Sequence, residues 1–286
     1  MEYSVLGKTG RMVSKIGFGG ATAGSKNYLE PFDGEKKEDR KMLLEAIQNA
    51  YELGINYFDT AAGYGNGQSE EIFGEGLQEI DPCSIFLATK VSKGDKYQVR
   101  KSVESSLNRL KRNWIDLIQI HGSYYSDDDY ELIMQKNGML EELEKMKEEG
   151  LVKFIGFSIE AQNESLYKFI KSGRFDTIQI CYNFIFQHPY DPSFKCGSLY
   201  DAQKQELGII SMRTTTSGIF QKWISTVNPA NTFDYTKALI QFQLSNPFID
   251  VALIGMRNAD IVAQNVEICN DLSGRIDIEK LHSRYI

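Results

Sequence analysis

Four residues able to take part in proton transfer occur in the first half of the chain: Asp59, Tyr64, Lys90 and His121. A tyrosine has a pKa of about 10, which makes it a poor acid at neutral pH. A nearby cation favours the phenolate and lowers that pKa, and a buried lysine needs a carboxylate beside it to keep its charge. We therefore predict that Asp59 pairs with Lys90 and that Lys90 tunes Tyr64. His121 would donate a second hydrogen bond to the same oxygen or relay a proton.

Three of these residues close apolar runs that are typical of buried strands. Asp59 lies near the end of INYFDT, Lys90 near the end of IFLATKV and His121 at the end of WIDLIQIH. Tyr64 lies in the glycine-flanked loop after Asp59. In a barrel of parallel strands, the active site lies at the C-terminal strand ends. The spacing therefore predicts one site built from neighbouring strand ends.

Strand-like and helix-like patterns alternate along the chain after a predicted hairpin, EYSVLGKTGRMV. Apolar residues recur three and four positions apart between the strand-like runs, which is typical of amphipathic helices. One such set is Leu43, Leu44, Ile47, Ala50 and Tyr51. Eight apolar runs, buried on both faces, predict an α/β fold, a (β/α)8 TIM barrel with a short N-terminal β-hairpin. An open doubly wound sheet is the alternative. The eight runs are KIGFGG, INYFDT, IFLATKV, WIDLIQIH, VKFIGFS, TIQICYN, GIISMRT and DVALIG.

Length and composition narrow the class of protein. A barrel of this kind reaches 286 residues, so we expect one barrel domain over residues 1–286. The net charge of −7, with both signs interspersed, disfavours nucleic-acid and anionic-membrane partners. No apolar run approaches the ~18 residues of a membrane span, and no signal or transit peptide is evident, which favours a cytoplasmic location. The three histidines and four scattered cysteines show no metal-site spacing, so we expect no metal.

Three glycine-containing stretches fail as nucleotide-binding motifs. GFGGAT at 17–22 and GYGNGQ at 63–68 lack the last glycine of the dinucleotide fingerprint, and GKT at 7–9 lacks the upstream glycine of a phosphate loop. Any nucleotide would be held in another way, which weakens the open-sheet alternative.

The run FDTAAGYGNGQSEEIFGEGL, with the lysine of FLATKV and the histidine of LIQIHG, closely resembles the aldo-keto reductase superfamily. The resemblance extends from LGKTGRMVSKIGFGG to IGMRNADIVAQN and implies a tetrad of Asp59, Tyr64, Lys90 and His121 on a (β/α)8 barrel. It implies NADPH-dependent reduction of an aldehyde or ketone to an alcohol, or the reverse reaction with NADP⁺. Tyr64 would be the general acid for the carbonyl oxygen. NADH stays open as a cofactor, and a monomer is the default state.

The resemblance also implies contacts to the nicotinamide. Gln179 would hold the carboxamide, and Tyr182 would stack on the nicotinamide ring. Ser158 matches the serine of a serine-asparagine pair. Ile159 stands where the asparagine is expected and cannot hydrogen-bond an amide.

Contacts to the phosphates and the adenine follow later in the chain. Past the eighth strand, Gly255 begins a segment in which Arg257 would contact a 2′-phosphate, which favours NADPH. Gln264 and Asn265 would contact the adenine. After the seventh strand, MRTTTSGIF replaces the usual Pro-Leu and glycine-rich loop. Hydroxyls and amides there would still serve a phosphate. These residues are Thr214, Thr215, Ser217 and Gly218.

Other interpretations stay open. The family includes β subunits of potassium channels, so the chain would alternatively be a nucleotide-binding regulatory or scaffold subunit with little turnover. Lys90 as a Schiff-base nucleophile would make a lyase or isomerase, although Asp59 would keep the amine protonated. Asp59 and Lys90 are alternatively a structural ion pair, and Arg257 a surface residue at a helix start.

Substrate choice would depend on the loops around residues 20–35, 121–138 and 183–200. Aromatic residues in the longer loops would either line an apolar substrate pocket or pack the loops down. They are Tyr28, Phe32, Tyr124, Tyr125, Phe184, Phe186 and Trp223.

Overall fold

Ten β-strands lie within residues 1–26 and 31–283, the part of the chain that the computed structural model describes. They are β1 (Tyr3–Val5), β2 (Met12–Ser14), β3 (Ile16–Gly19), β4 (Tyr57–Asp59), β5 (Phe86–Ser92), β6 (Ile115–His121), β7 (Val152–Ile159), β8 (Thr177–Cys181), β9 (Gly208–Met212) and β10 (Val251–Gly255). β1 and β2 pair antiparallel, and the other eight strands close into a parallel barrel in the order β10-β3-β4-β5-β6-β7-β8-β9. The predicted (β/α)8 barrel and hairpin are therefore confirmed, and the open sheet was the wrong alternative.

Helices cover the outside of the barrel. α2 buries Leu43, Ala46, Ile47 and Ala50, which is the face that the spacing predicted. Among the described residues, no helix is long and apolar enough to span a bilayer. The helices are α1 (Ala21–Gly24), α2 (Lys37–Glu52), α3 (Gln68–Gly76), α4 (Lys96–Leu110), α5 (Asp127–Met134), α6 (Met139–Glu148), α7 (Glu164–Lys171), α8 (Ser198–Lys204), α9 (Ile219–Val227), α10 (Thr236–Leu244), α11 (Ala259–Asn270) and α12 (Ile278–Ser283).

Buried apolar side chains form two clusters, one on each face of the barrel sheet. The larger cluster lies between the strands and the helices. The smaller one fills the barrel interior and includes Phe86, Leu117 and Ile210. Leu6 and Val13, from the hairpin segment, join the interior cluster, so the hairpin closes the N-terminal end of the barrel. The opposite end is left to receive a ligand.

The inward-facing side chains change from apolar to polar toward the C-terminal strand ends. Side chains alternate across a strand, so every second residue faces the barrel interior. In β4, Tyr57 belongs to the interior cluster and Asp59 lies two residues later; in β5, Ala88 is followed in the same way by Lys90. The parallel register pairs Lys90 of β5 with Gln119 of β6. The alternation therefore brings these polar side chains to one end of one barrel.

Candidate active site

The four residues predicted to transfer a proton line one cavity of about 550 Å³ at the C-terminal ends of the strands. Asp59 ends β4, His121 ends β6, and Lys90 lies two residues before the end of β5. Tyr64 enters the cavity from the loop between β4 and α3. The structure therefore brings together all four residues, which are up to 62 positions apart in the sequence.

Asp59 and Lys90 form a buried ion pair at the base of the cavity. The Lys90 Nζ donates to Asp59 Oδ1 at 2.5 Å and to the main-chain oxygen of Thr60 at 2.8 Å. Lys90 is only 1% exposed. Burial acts to lower the pKa of Lys90, but the Asp59 carboxylate and then Tyr64 outweigh it, so the pKa lies above its ordinary value. Lys90 is therefore an ammonium at neutral pH.

Tyr64 lies between the ammonium of Lys90 and the imidazole of His121. The Lys90 Nζ is 4.9 Å from the centre of the Tyr64 ring, and a side-chain hydrogen bond with Tyr64 contributes to the raised pKa of Lys90. The His121 ring meets the Tyr64 ring edge-on, with 5.6 Å between centroids. The pairing proposed for Lys90 with both Asp59 and Tyr64 is therefore present in the structure.

The loop that carries Tyr64 is held against α1 by close backbone contact. A Cβ on Gly65 would lie 2.3 Å from the main-chain oxygen of Gly24, and a Cβ on Gly24 would lie 2.4 Å from that of Tyr64. Gly65 also has a φ of +62°, which favours glycine. The Ser69 amide donates to the Tyr64 oxygen at 3.2 Å and fixes the far side of the turn. The glycines around Tyr64 thus allow the contact that positions it.

His121 is neutral at physiological pH. Burial, followed by the positive charge of Lys90, lowers the pKa of His121 from 6.5 to about 4. A neutral imidazole still donates one hydrogen bond, but it holds no extra proton to transfer. Of the two roles expected for His121, the lowered pKa is more consistent with hydrogen-bond donation than with a proton relay.

The lowered pKa of His121 predicts a loss of stability in acid. Between pH 6.5 and about 4 the unfolded chain binds a proton on His121 and the folded chain does not, so the free energy of unfolding falls as the pH drops through that range. Above pH 6.5 the contribution is complete and constant. Allowing for partial exposure, we expect His121 to account for about 1–2 kcal/mol of the loss. Urea unfolding at several pH values, in wild type and His121→Gln, measures it, and parallel pH profiles would contradict it.

Gln119, which the sequence analysis missed, connects the ion pair to a predicted cofactor residue. Its Nε2 donates to Asp59 Oδ2 at 3.2 Å and to Gln179 Oε1 at 2.8 Å. Because the Gln179 oxygen is used in this way, its amide nitrogen is the group left for the cavity, where it contacts the Met212 sulfur at 3.7 Å. Gln119 therefore orients Gln179. Its place two residues before His121, on the same face of β6, was the signal available in the sequence.

Most of the residues predicted to hold a cofactor also line the cavity. Ser158 and Gln179 are register partners on β7 and β8. Ile159, the replacement for the expected asparagine, is fully buried in the core between barrel and helices and offers no polar group. Besides Ser158 and Gln179, the lining includes Thr214, Thr215, Ser217 and Gly255.

The remaining predicted cofactor residues do not reach the cavity wall. Tyr182 is buried, and its ring stacks on Phe242 with 5.7 Å between centroids, which differs from the predicted stacking on a nicotinamide. Gly218 and Gln264 lie outside the lining, and Gln264 is exposed on α11. Asn265 lies one residue further along and is buried. Their roles as cofactor contacts remain predictions.

Arg257 is an interior residue and not the surface residue of the alternative interpretation. It is 4% exposed, and its guanidinium lies 4.4 Å from the centre of the Phe32 ring. It donates to the main-chain oxygens of Thr22 at 3.1 Å and Ser25 at 3.3 Å. Arg257 therefore ties the end of β10 to α1, and its contact with a 2′-phosphate remains a prediction.

Polar atoms without partners indicate that the site is built for a polar ligand. Thr22 Oγ1 and Thr214 Oγ1 are buried in cavity-lining residues, and neither has a hydrogen-bond partner among the described residues. Asn265 Nδ2, on α11, is in the same condition. Buried polar atoms are normally satisfied, so the two cavity hydroxyls are available to a bound ligand. The donor set fits the phosphates and amides of a dinucleotide.

Some of the aromatic loop residues are buried in the protein, and the others are exposed on its surface. Tyr125 is fully buried and donates to the main-chain oxygens of Ile120 and Ser158, and Phe32 is buried under Arg257. Tyr124, Phe184, Phe186 and Trp223 are exposed outside the cavity lining. Tyr28 belongs to residues 27–30, which lie outside the described residues. None of these six described aromatic residues lines the cavity.

Comparison with known proteins agrees with the fold. The chain is similar to L-galactose dehydrogenase from Arabidopsis thaliana, with 26% identity over 301 residues, 95% of this chain and 89% of that protein. The holo form of an aldo-keto reductase from Bacillus halodurans superposes with a TM-score of 0.77 at 21% identity, over 98% of this chain and 96% of that chain. An aldo-keto reductase from Klebsiella pneumoniae in complex with NADPH gives 0.73 at 18% identity, over 99% and 94%.

At 21% and 18% identity, the two solved structures support an assignment of the fold alone, because one fold can support different functions. The sequence model of the aldo/keto reductase family provides the stronger match, since it covers residues 15–286. That range includes all eight barrel strands and every residue of the tetrad. The chain therefore belongs to the aldo/keto reductase family.

Proposed function

We propose that the protein is an NADPH-dependent oxidoreductase that reduces an aldehyde or ketone to an alcohol, with Tyr64 as the general acid. The observation that carries this proposal is the Lys90 ammonium, 2.5 Å from the Asp59 carboxylate and 4.9 Å from the centre of the Tyr64 ring. When bound, the nicotinamide would supply the hydride. Family membership supports the oxidoreductase class, and the relative from Klebsiella pneumoniae is described as a complex with NADPH.

Tyr64 gives up its proton at the phenol oxygen to the carbonyl oxygen of the substrate. The adjacent Lys90 ammonium stabilises the phenolate that results, and the buried Asp59 carboxylate keeps Lys90 charged. Neutral His121 donates a hydrogen bond to the same oxygen and orients it toward Tyr64. The charge on Lys90 also argues against a Schiff-base mechanism, because a protonated amine is not a nucleophile.

The residues that would hold the cofactor line the cavity. Ser158 and Gln179 would bind the carboxamide, and Thr214, Thr215 and Ser217 would bind the phosphates. Unpaired Thr22 Oγ1 and Thr214 Oγ1 fit this assignment because a bound dinucleotide would supply their missing partners.

Fluorescence titration with NADPH and NADH tests the proposal, followed by loss of nicotinamide absorbance over a panel of aldehydes, ketones and sugars. We expect NADPH to bind and to be oxidised by at least one carbonyl class. Tight binding without turnover on the whole panel would favour the regulatory-subunit alternative. Failure to bind either dinucleotide would contradict the proposal.

Replacing Gln119 with leucine should weaken cofactor binding through Gln179. The change leaves Asp59 Oδ2 and Gln179 Oε1 without their shared donor, which costs about 1–3 kcal/mol of stability. It also frees the Gln179 amide to rotate, so the dissociation constant for NADPH should rise by about tenfold. Gln241→Leu is the control, since Gln241 is a buried glutamine outside the cavity lining that donates to the Ile268 and Asp271 oxygens and accepts from Arg275. Equal effects of the two variants on NADPH binding would make Gln119 merely structural.

A further inference from the structure

A charged pair outside the predicted tetrad lines the cavity. The Nη2 of Arg213 lies 2.8 Å from Oε1 of Glu160, and both residues line the cavity. Glu160 follows β7 and Arg213 follows β9, and β8 lies between these two strands in the barrel. The ion pair therefore passes over the C-terminal end of β8, which carries Gln179.

Both members of the pair are held by their main chains. The Glu160 amide donates to the Ser123 oxygen at 3.0 Å. The Arg213 oxygen accepts from Asn183 Nδ2 at 3.0 Å and from the Thr216 amide at 2.7 Å. Arg213 has a φ of +60°, which is uncommon for a residue other than glycine and is often found at functional sites.

The surroundings of Arg213 have the chemistry of an anion site. Its Nη1 donates to Ser217 Oγ at 3.1 Å, and the next residue, Thr214, presents a buried hydroxyl without a partner among the described residues. Of the residues that line the cavity in the described part of the chain, Lys90 and Arg213 are the cations. Lys90 is buried against Asp59, whereas about a third of the Arg213 side chain is exposed. Arg213 is therefore the lining cation that is accessible to a charged ligand.

We propose that Arg213 binds the diphosphate of the nicotinamide dinucleotide and that Glu160 competes with the diphosphate for the guanidinium. This inference rests on the proposed function, because it requires a dinucleotide in the cavity. A guanidinium forms paired hydrogen bonds with a phosphate as readily as with a carboxylate. When the dianionic diphosphate enters, it repels Glu160 and takes over Arg213. The Glu160–Arg213 pair is thus closed before binding and open in the complex.

Titration of the purified full-length protein with both NADPH and NADH tests this assignment, with dissociation constants as the readout. The two dinucleotides share the diphosphate and differ at the 2′-phosphate. Arg213→Gln should weaken both by a similar factor of about tenfold, since it removes charge-assisted hydrogen bonds. Glu160→Gln should tighten both by about two- to fivefold, because a partly exposed ion pair no longer competes. Raising the salt concentration should weaken binding less in Arg213→Gln than in wild type.

A second ion pair provides the matched control. Arg174 and Glu144 are 2.6 Å apart with similar exposure, and neither lines the cavity. Arg174→Gln and Glu144→Gln should leave both dissociation constants within twofold. Thermal unfolding of each variant checks that it is folded. If Arg213→Gln unfolds, Glu160→Gln still tests the inference, because it leaves Arg213 and its left-handed backbone conformation unchanged.

Three results would overturn the inference. Unchanged binding in both cavity variants would make the pair structural, and weaker binding in Glu160→Gln would show that Glu160 assists the cofactor. Weaker binding of NADPH alone in Arg213→Gln would assign Arg213 to the 2′-phosphate. Failure of the wild-type protein to bind either dinucleotide is a separate result, which contradicts the proposed function itself.

Discussion

Replacing Tyr64 with phenylalanine is expected to slow carbonyl reduction by about 10²- to 10⁴-fold, because a positioned proton donor contributes a factor of that size. The variant loses only the hydroxyl, so its ring still packs against His121 and beside Lys90. NADPH binding should therefore change by less than about threefold, since one packing contact is kept and no predicted cofactor contact is removed. Single-turnover oxidation of bound NADPH, measured by absorbance, separates the chemical step from binding.

Tyr97→Phe is the control for the loss of a tyrosine hydroxyl. Tyr97 is 75% exposed on α4 and lies outside the cavity lining, so its variant should retain wild-type turnover. Turnover that survives in Tyr64→Phe would assign the proton to another donor and remove the main support for the proposed mechanism. A pH profile of the wild-type rate adds a second check. Neutral His121, with a pKa of about 4, should produce no break near pH 6.5.

The barrel was predictable from the sequence because burial on both faces makes each strand a nearly continuous apolar run. WIDLIQIH, for example, contains β6, Ile115–His121, whose residues are buried up to the final histidine. The helices were predictable for a related reason, since α2 buries only the face defined by Leu43, Ile47 and Ala50. The extent of the domain, residues 1–286, stays a prediction.

Part of the site was predictable because the end of a strand fixes the position of the Cα atom from which a side chain projects. Asp59, Lys90 and His121 follow from three strand ends, and these ends meet in any closed parallel barrel. The direction of a side chain beyond a strand end depends on packing that the sequence does not display. Tyr182 stacks on Phe242 and Arg257 on Phe32, and the contacts with a cofactor predicted for both stay predictions.

Residues that act through distant partners were not predictable. Gln119 joins Asp59 to Gln179, each 60 positions away, and Glu160 meets Arg213 across an intervening strand. Such contacts require the order and register of the strands, which no local pattern specifies. A polar residue inside an apolar strand is nevertheless a signal, because an unpaired buried amide would destabilise the fold.

Substitutions in the Asp59–Lys90 pair can separate its contribution to stability from its contribution to catalysis. Both side chains are almost completely buried, and two charges removed from water are costly unless each neutralises the other. Lys90→Met leaves the Asp59 carboxylate with the Gln119 amide as a side-chain donor but without a compensating positive charge. We expect the free energy of unfolding to fall by about 3–5 kcal/mol, the usual cost of an uncompensated buried charge. Carbonyl reduction should be lost as well, because Tyr64 no longer has a cation beside it.

The double variant Asp59→Asn/Lys90→Met distinguishes a catalytic pair from a structural one. Removing both charges eliminates the uncompensated carboxylate, so much of the lost stability should return in urea unfolding. Turnover should stay as low as in Lys90→Met, since the phenolate of Tyr64 still lacks its stabilising ammonium. If turnover returned together with stability, the pair would be structural, and the acidity of Tyr64 would need another source. A double variant that stayed as unstable as Lys90→Met would contradict the energetic argument instead, because it would show that the buried charge is not what destabilises the single variant.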